Sequence, residues 1–333
     1  MMKGKKVVSA LALTTQLFTL TACGGDSDKS QVETVRLTEV VRSIFYAPQY
    51  VALEQGYFQD EGLNVRLDTA WGGDKAMTRL LAGQDDVALI GAETTVYVKQ
   101  QGSEDAVINF AQMTQRDGTF LVARKEIDNF DWSMLKGKSL IGSRNGSMPE
   151  MVNEWVLKNH GIEPKVDNEI IQNISFDNMT TAFASGTGDF YQAFEPGASL
   201  LEKSGQGHVV ASYGKDGGKL PYTVYMAKSS YLQDHPQALQ KFTNAIQKAQ
   251  TFVQESTPEE VAKIIAPYFE DVDQDILVSV VKRYKDADTW PSDTIIDRDE
   301  FDHMKRVMHE AGELKNDVKY EDVVNTTFAE KAK

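Results

Sequence analysis

The sequence predicts an α/β fold of two similar lobes joined by two crossover strands. Three observations carry that expectation. β-rich runs alternate with helix-spaced apolar residues, which is the pattern of a largely parallel sheet. The alternation occurs twice, and the second pass echoes the first. Two short apolar runs, at 120–123 and 222–228, are placed where the chain would cross from one pass to the other.

Taken in order, residues 34–41 are β-rich and 46–54 carry apolar residues at helical spacing. Strands are expected at 63–67, 87–90 and 107–113, with helices at 75–81 and 94–100 between them. After a turn at Asp117-Gly118, the run 120–123 enters a second series that opens with a strand at 138–141. Beyond 222–228 the chain is mostly helical, at 236–255, 258–268, 274–284 and 298–313.

The repeat is legible residue by residue. Gly62-Leu63, then Met77-Thr78-Arg79-Leu80-Leu81-Ala82-Gly83 and Asp86-Val87-Ala88-Leu89, is echoed by Gly161-Ile162, then Met179-Thr180-Thr181-Ala182-Phe183-Ala184-Ser185-Gly186 and Asp189-Phe190-Tyr191-Gln192. Each copy reads strand, loop, helix, glycine turn, strand. Gly91-Ala92-Glu93 closes one copy and Ala193-Phe194-Glu195 the other. Two half-sheets flanking a cleft would set Glu93 and Glu195 at the carboxyl ends of strands, where open α/β sheets bind ligands.

The N-terminus is a separate matter. Lys3, Lys5 and Lys6 precede an apolar stretch at 7–20, shorter than the roughly 20 residues that span a bilayer. It reads as a signal peptide, 1–22. Leu20-Thr21-Ala22-Cys23 resembles the lipobox of bacterial lipoproteins, and Cys23 is the only cysteine. Such a chain is cut before the cysteine, lipidated on it and held at the outer face of the cytoplasmic membrane. Residues 23–33, with Gly24-Gly25-Asp26-Ser27-Asp28, read as anchor and flexible linker. With no second cysteine the core must hold the fold without disulfides.

Residues 1–22 contain three of the 35 Lys/Arg and none of the 49 Asp/Glu, so the formal charge of −14 becomes −17 without them. That balance argues against nucleic acid and against an anionic lipid surface as partners. With 41% hydrophobic residues the chain can build two lobes: 34–121 with 222–333 as the first, its return and its C-terminal helices, and 122–221 as the second.

Ser43-Ile44-Phe45-Tyr46-Ala47-Pro48-Gln49-Tyr50-Val51-Ala52-Leu53-Glu54-Gln55-Gly56-Tyr57-Phe58, followed by Glu61-Gly62-Leu63, resembles the opening of the substrate-binding lipoproteins of bacterial ABC importers. The group is the one for nitrate, sulfonate, taurine and thiamine-pyrimidine precursors. Leu80-Leu81-Ala82-Gly83 with Asp86-Val87, and Leu135-Lys136-Gly137-Lys138, extend the likeness over nearly the whole chain. The resemblance implies a bilobal periplasmic-binding-protein fold of type II. It also implies a monomer that closes on a small molecule and docks on the permease of an ABC permease and ATPase pair.

Ligand contacts are expected from loops at strand ends. Ser43 and the aromatic pair Phe45 and Tyr46 either stack on a flat ring or belong to the core. Trp71 is a lid or a loop plug, and Gly72 and Gly73 let backbone N–H groups approach a ligand. Gly91, Glu93 and Thr94 open a helix. In the second lobe Arg144, Asn145, Gly146 and Ser147 precede a helix marked by Pro149. Ser147 is equally an N-cap, and Arg144 either reads an anion or pairs with a glutamate. An unpaired carboxylate facing an anion in a dry cleft costs several kcal/mol. Glu93 and Glu195 therefore favour an amine-bearing planar heterocycle such as an aminopyrimidine over a sulfonate, with Phe45, Tyr46, Trp71 or Phe194 stacking on it.

Catalytic and metal chemistry find little support. His160, His208, His235, His303 and His309 are isolated and read as surface or helix-end residues, so neither metal nor cofactor is expected. Gly186-Thr187-Gly188 precedes a strand rather than opening a helix, unlike a dinucleotide fingerprint. The rival to a transport receptor is a sensor or a pyrimidine-synthesis enzyme on the same scaffold.

The lipobox carries the first prediction. Cys23→Ala should move the protein from the membrane fraction to the medium or leave an unprocessed precursor. Fractionation showing the mutant retained like wild type would refute lipidation at Cys23.

Overall fold

A computed structural model describes residues 32–332. The expected signal peptide, Cys23 and most of the linker lie outside the described residues. The first pass along the chain gives β1 (Glu33–Glu39), α1 (Ala47–Glu54), α2 (Tyr57–Asp60), β2 (Leu63–Thr69), α3 (Gly73–Leu81), β3 (Val87–Gly91), α4 (Glu93–Gln100) and β4 (Val107–Thr114). The second gives β5 (Phe120–Ala123), β6 (Ser139–Ile141), α5 (Met148–Asn159), β7 (Glu169–Ile171), α6 (Met179–Ala184), β8 (Phe190–Ala193), α7 (Gly197–Lys203), β9 (His208–Ser212) and α8 (Tyr213–Gly217). The return contributes β10 (Thr223–Lys228), followed by α9 (Ser229–Asp234), α10 (Pro236–Glu255), α11 (Pro258–Ile265), α12 (Gln274–Asp286) and α13 (Arg298–Glu310).

The strands form two five-stranded sheets, ordered β2-β1-β3-β10-β4 and β7-β6-β8-β5-β9. The order is the same in both. β1 runs parallel to β2 and β3, as β6 does to β7 and β8. The fourth place in each sheet is taken by a crossover strand, antiparallel to both neighbours: β10 in the first sheet and β5 in the second. The crossovers are thus built into the middle of the sheets.

A matching polar staple confirms the internal repeat. Asp86, just before β3, accepts from the Arg36 N–H of β1 at 2.8 Å. Asp189, just before β8, accepts from the Ser139 N–H of β6 at 3.0 Å. One echo slips: Leu63 opens β2, whereas Ile162 lies well ahead of β7. Local turn chemistry takes its place. The Glu163 N–H donates to Asp167 at 2.9 Å, the Asp167 N–H returns to Glu163 O at 2.8 Å, and Lys165 adopts φ 65°.

The helical tail covers the first sheet. α10 buries Leu239, Phe242, Ile246, Ala249 and Val253 on one stripe, and the Phe242 ring lies 5.0 Å from Phe58 and 4.9 Å from Tyr225. α11 opens with a Thr257/Glu260 capping box and gives way to a 3-10 turn at Ala266–Tyr268, where Pro267 offers no N–H to an α-helical ladder. α13 stops at Glu310, short of the expected 313, and Gly312 follows with φ 77°. Among the described residues no helix is long and apolar enough to cross a membrane.

Where the first crossover leaves β4, Gly118 lies against the Phe45 ring so closely that a Cβ there would sit 2.5 Å from Phe45 Cε2. Gly118→Ala must push the ring or the crossover aside, so chemical denaturation should show a loss of about 1–3 kcal/mol. A midpoint unchanged from wild type would contradict this packing.

Candidate functional site

The carboxyl end of β1 leads into a buried turn at Ile44–Tyr46. Ser43 Oγ accepts from the Phe45 N–H at 3.2 Å, while the Ser43 N–H donates to the Tyr50 hydroxyl at 3.2 Å. Beneath them Glu39 is fully buried, and its carboxylate accepts from Gln49 Nε2 at 2.8 Å, the Tyr50 hydroxyl at 2.7 Å and Thr69 Oγ1 at 2.8 Å. Glu39 therefore ties the turn to the sheet.

Phe45 is enclosed by rings, with centroids 5.7 Å from Tyr46, 5.6 Å from Tyr222 and 5.4 Å from Tyr284, and its carbonyl accepts from Trp290 Nε1 at 2.9 Å. It belongs to the core. Tyr46 is also buried, and burial together with the charges of Glu39 and Glu93 raises its ionisation well above the ordinary phenol range.

Glu93 begins α4 directly after β3. Its carboxylate folds back over Gly91, where a Cβ would come within 2.1 Å of Oε2, so residue 91 must be glycine for this rotamer. Glu93 is 6% exposed, and Oε2 has no hydrogen-bond partner among the described residues. Burial lifts its pKa to about 7, against the opposing pull of its own N–H and that of Met148 at the head of α5. Glu93 thus faces the second lobe from the first. Thr94 donates to Gly91 O at 2.7 Å and completes the turn.

A second buried acid, read from the sequence only as part of a turn, occupies the first crossover. Asp117 Oδ1 accepts from the Thr119 N–H at 2.6 Å and from the Thr119 hydroxyl. Oδ2 of Asp117 and the hydroxyls of Tyr213 and Tyr222 find no partner of hydrogen-bond geometry among the described residues. Burial raises the Asp117 pKa to about 6, with Thr119 and Tyr222 opposing. Tyr222 feels the charge of both Asp117 and Glu93, and the Ala92 N–H donates to its carbonyl at 3.3 Å. Tyr46, Glu93, Tyr222 and Asp117 therefore form one polar, aromatic surface.

From the other lobe, Gln192 at the end of β8 secures this surface. Its Nε2 donates to Thr119 Oγ1 at 3.1 Å and Pro149 O at 2.7 Å, and its Oε1 accepts from the Ser143 N–H at 3.3 Å. Tyr97 of α4 donates to Gly146 O at 3.1 Å, joining the lobes beside the head of α5.

Other expected contacts lie elsewhere. Glu195 occupies the position equivalent to Glu93, but its carboxylate is taken by Arg283 Nη1 at 2.6 Å and by the Ser199 N–H and Oγ, each at 3.0 Å. It is a structural ion pair between the second lobe and α12, and the expectation of two equivalent ligand acceptors is corrected. The cause is α12, which delivers a cation to one copy only. Arg144 pairs with neither glutamate: its Nη2 lies 3.6 Å from Asp74, and both side chains are largely exposed. Asn145 accepts from Lys165 Nζ at 2.9 Å. Ser147 stands at the N-cap of α5 but makes no side-chain cap bond, and its hydroxyl donates instead to Arg144 O at 2.5 Å.

Trp71 is 65% exposed at φ 58°, and Gly72 takes φ 151° to enter α3 beside Gly73. Phe194 is half-buried against Phe176, 5.3 Å between centroids. His303, expected at the surface, is half-buried, with Nδ1 2.7 Å from Lys219 O and its ring 5.4 Å from Trp155.

Comparison with known proteins sets this geometry in context. A family model described as NMT1/THI5 like matches residues 44–260. The chain is 47% identical, over 95% of its length and 93% of the relative's, to the YtlA protein of Bacillus subtilis (strain 168), named there as a candidate binding protein. Among solved structures it resembles the ligand-binding component of an ABC-type import system from Staphylococcus aureus, with a TM-score of 0.74, 18% identity, and 90% and 99% of the two chains covered. It also resembles the alkanesulfonate-binding protein SsuA of Xanthomonas axonopodis pv. citri, with a TM-score of 0.70, 15% identity, and 88% and 98% covered. At such identities the likeness is one of fold, the bilobal periplasmic-binding-protein fold expected from the sequence.

The raised acids set a pH dependence. Below their ordinary range both are protonated in folded and unfolded chains alike. As pH rises to about 6 for Asp117 and about 7 for Glu93, the unfolded chain releases protons that the folded chain retains, so stability falls over that window. The ligand-free protein should melt at progressively lower temperature from about pH 4 to pH 7 and level off above. Glu93→Gln should flatten the profile and gain on the order of 3 kcal/mol over wild type above pH 7. Parallel profiles for the two proteins would show that Glu93 is not held in its neutral form.

Proposed function

We infer that this chain, which belongs to the NMT1/THI5-like family, is the extracytoplasmic solute-binding component of an ABC importer, lipid-anchored through Cys23. Its solute is an amine-bearing, planar heterocycle. The observation that carries this reading is Glu93: a buried carboxylate, poised near neutrality, with one oxygen unpartnered among the described residues and tyrosines beside it.

A donor N–H⁺ or ring amine supplies what that site lacks. It satisfies the orphaned oxygen and favours the ionised carboxylate, so ligand and charge stabilise one another. An anion does the reverse, because a sulfonate beside Glu93 and Asp117 meets two buried acids. The cation that could receive it, Arg144, is largely exposed and faces Asp74. The sulfonate named for the Xanthomonas neighbour is therefore not carried over to this cleft. The tyrosines offer flat apolar faces with polar tips, suited to a ring that hydrogen-bonds at its edge.

The test is calorimetry of wild type and Glu93→Gln with 4-aminopyrimidine and ethanesulfonate. The aminopyrimidine should bind wild type, and Glu93→Gln should weaken it by about 10- to 150-fold through loss of a charge-assisted hydrogen bond. Binding of the sulfonate alone, improved by removing the carboxylate, would overturn the assignment.

A further inference from the structure

The segments that link the two sheets are short, 115–119 between β4 and β5 and 218–222 between α8 and β10. The turn that follows α12 lies against both of them. That turn is a Schellman motif: the Asp288 N–H donates to Lys285 O at 3.0 Å and the Thr289 N–H to Tyr284 O at 3.1 Å. Its left-handed position usually belongs to glycine, which has no Cβ to crowd the backbone. Here aspartate occupies it at φ 54°. Strain of this kind persists where contacts of the side chain hold it in place, and it points to a use for that side chain.

The Asp288 carboxylate meets both linkers at once. From the first, Arg116 Nη2 donates to Oδ2 at 3.2 Å and Gln115 Nε2 to Oδ1 at 3.0 Å. From the second, Lys219 Nζ lies 3.3 Å from Oδ2. The backbone of the turn joins in, since the Gln115 N–H donates to Thr289 O at 2.9 Å and Gln115 Nε2 also reaches Asp288 O at 3.0 Å. Arg116 carries the contact onward, with Nη1 donating to Gly214 O in α8 of the second lobe at 3.1 Å. Among the described residues neither Arg116 nor Lys219 forms an ion pair with any other acid. Glu300 of α13 adds only a longer-range attraction to the two cations.

We infer that Asp288 is a clasp on the hinge: by holding Arg116 and Lys219 together, the C-terminal tail sets the angle between the two lobes and so positions the cleft residues that the linkers carry. The strands on either side are fixed in their ladders, so a change of angle must be absorbed by the few linker residues between them. A carboxylate bonded to both linkers restrains that change while belonging to neither sheet. Its contribution is orientation rather than stability. The side chain is 54% exposed, where ion pairs add little to stability and are screened by salt. Glycine would suit the turn better, and aspartate suits the hinge. This role is independent of which solute the cleft takes.

The test places spin labels at Leu81→Cys in the first lobe and Val166→Cys in the second, both exposed, in the full-length chain carrying Cys23→Ala. Double electron-electron resonance should read a narrow interlobe distance when residue 288 is aspartate, and Asp288→Asn and Asp288→Gly should each shift or broaden it. Raising the salt from about 0.01 M to about 1 M should do the same to the chain with Asp288 and leave both variants as they were, because the clasp is ionic. This salt arm needs no change at residue 288 and so does not depend on how the variants fold. Glycine fits the left-handed turn, so Asp288→Gly should loosen the hinge with a melting temperature close to that of wild type. A distance distribution that neither the variants nor salt alters overturns the clasp. Broadening matched by a large fall in melting temperature in both variants also overturns it, and assigns Asp288 to the stability of the fold as a whole.

Discussion

A single chain that builds two sheets must pass between them twice, and here each passage ends as a strand bonded into the middle of a sheet. β10 lies between β3 and β4, and β5 between β8 and β9. This insertion places the residues of the cleft. The Leu220 N–H donates to Gln115 O at 3.0 Å and the Tyr222 N–H to Thr114 O at 3.1 Å, so the two linking segments run side by side. Asp117 and Tyr222, about a hundred residues apart in sequence, become neighbours because the backbone ladders on either side leave them nowhere else to go. The register that pairs Thr223 with Gly91 also sets Tyr222 beside Glu93.

Buried charge is then distributed unevenly over a symmetric scaffold. Glu93 and Glu195 stand at equivalent strand ends, but α12 brings Arg283 to one, and among the described residues no cation pairs with the other. Glu195 is compensated and holds the second lobe against the C-terminal helices. Glu93 remains half-satisfied, and with Asp117 it makes the cleft acidic and poorly solvated. Such groups lower the stability of the unliganded protein near neutrality and reward a ligand that supplies positive donors, the usual association of perturbed acids with binding sites. The rigid frame around them, including the Gln192 bonds to Thr119 and Pro149, keeps the acids from relaxing toward water.

The elements were legible in the sequence because their signals are local. Alternation of β-branched runs with helix-spaced apolar residues marked β1 to β4 and α10 to α13, and the aspartates ahead of β3 and β8 marked the repeat. Errors arose where a local bond replaced the repeat, as in the Glu163–Asp167 turn, or where Pro267 and Gly312 ended helices early. At the site, Tyr46 and Glu93 were legible because they follow strand ends. The aromatic Phe45 and the charged Arg144 carried equally strong signals, yet one is packed as core and the other is exposed.

By itself, then, the sequence determined the two α/β passes, their crossovers, the helical tail and the candidate loops, since each depends on residues near one another in the chain. Only the tertiary structure decided which acid is paired and which is left poised. That outcome depends on whether a distant helix delivers a cation, as α12 does for Glu195, and on whether two remote segments seal a carboxylate from solvent, as the crossovers do for Asp117. Desolvation and pairing are properties of the assembled surroundings, and a linear pattern of residue types does not contain them.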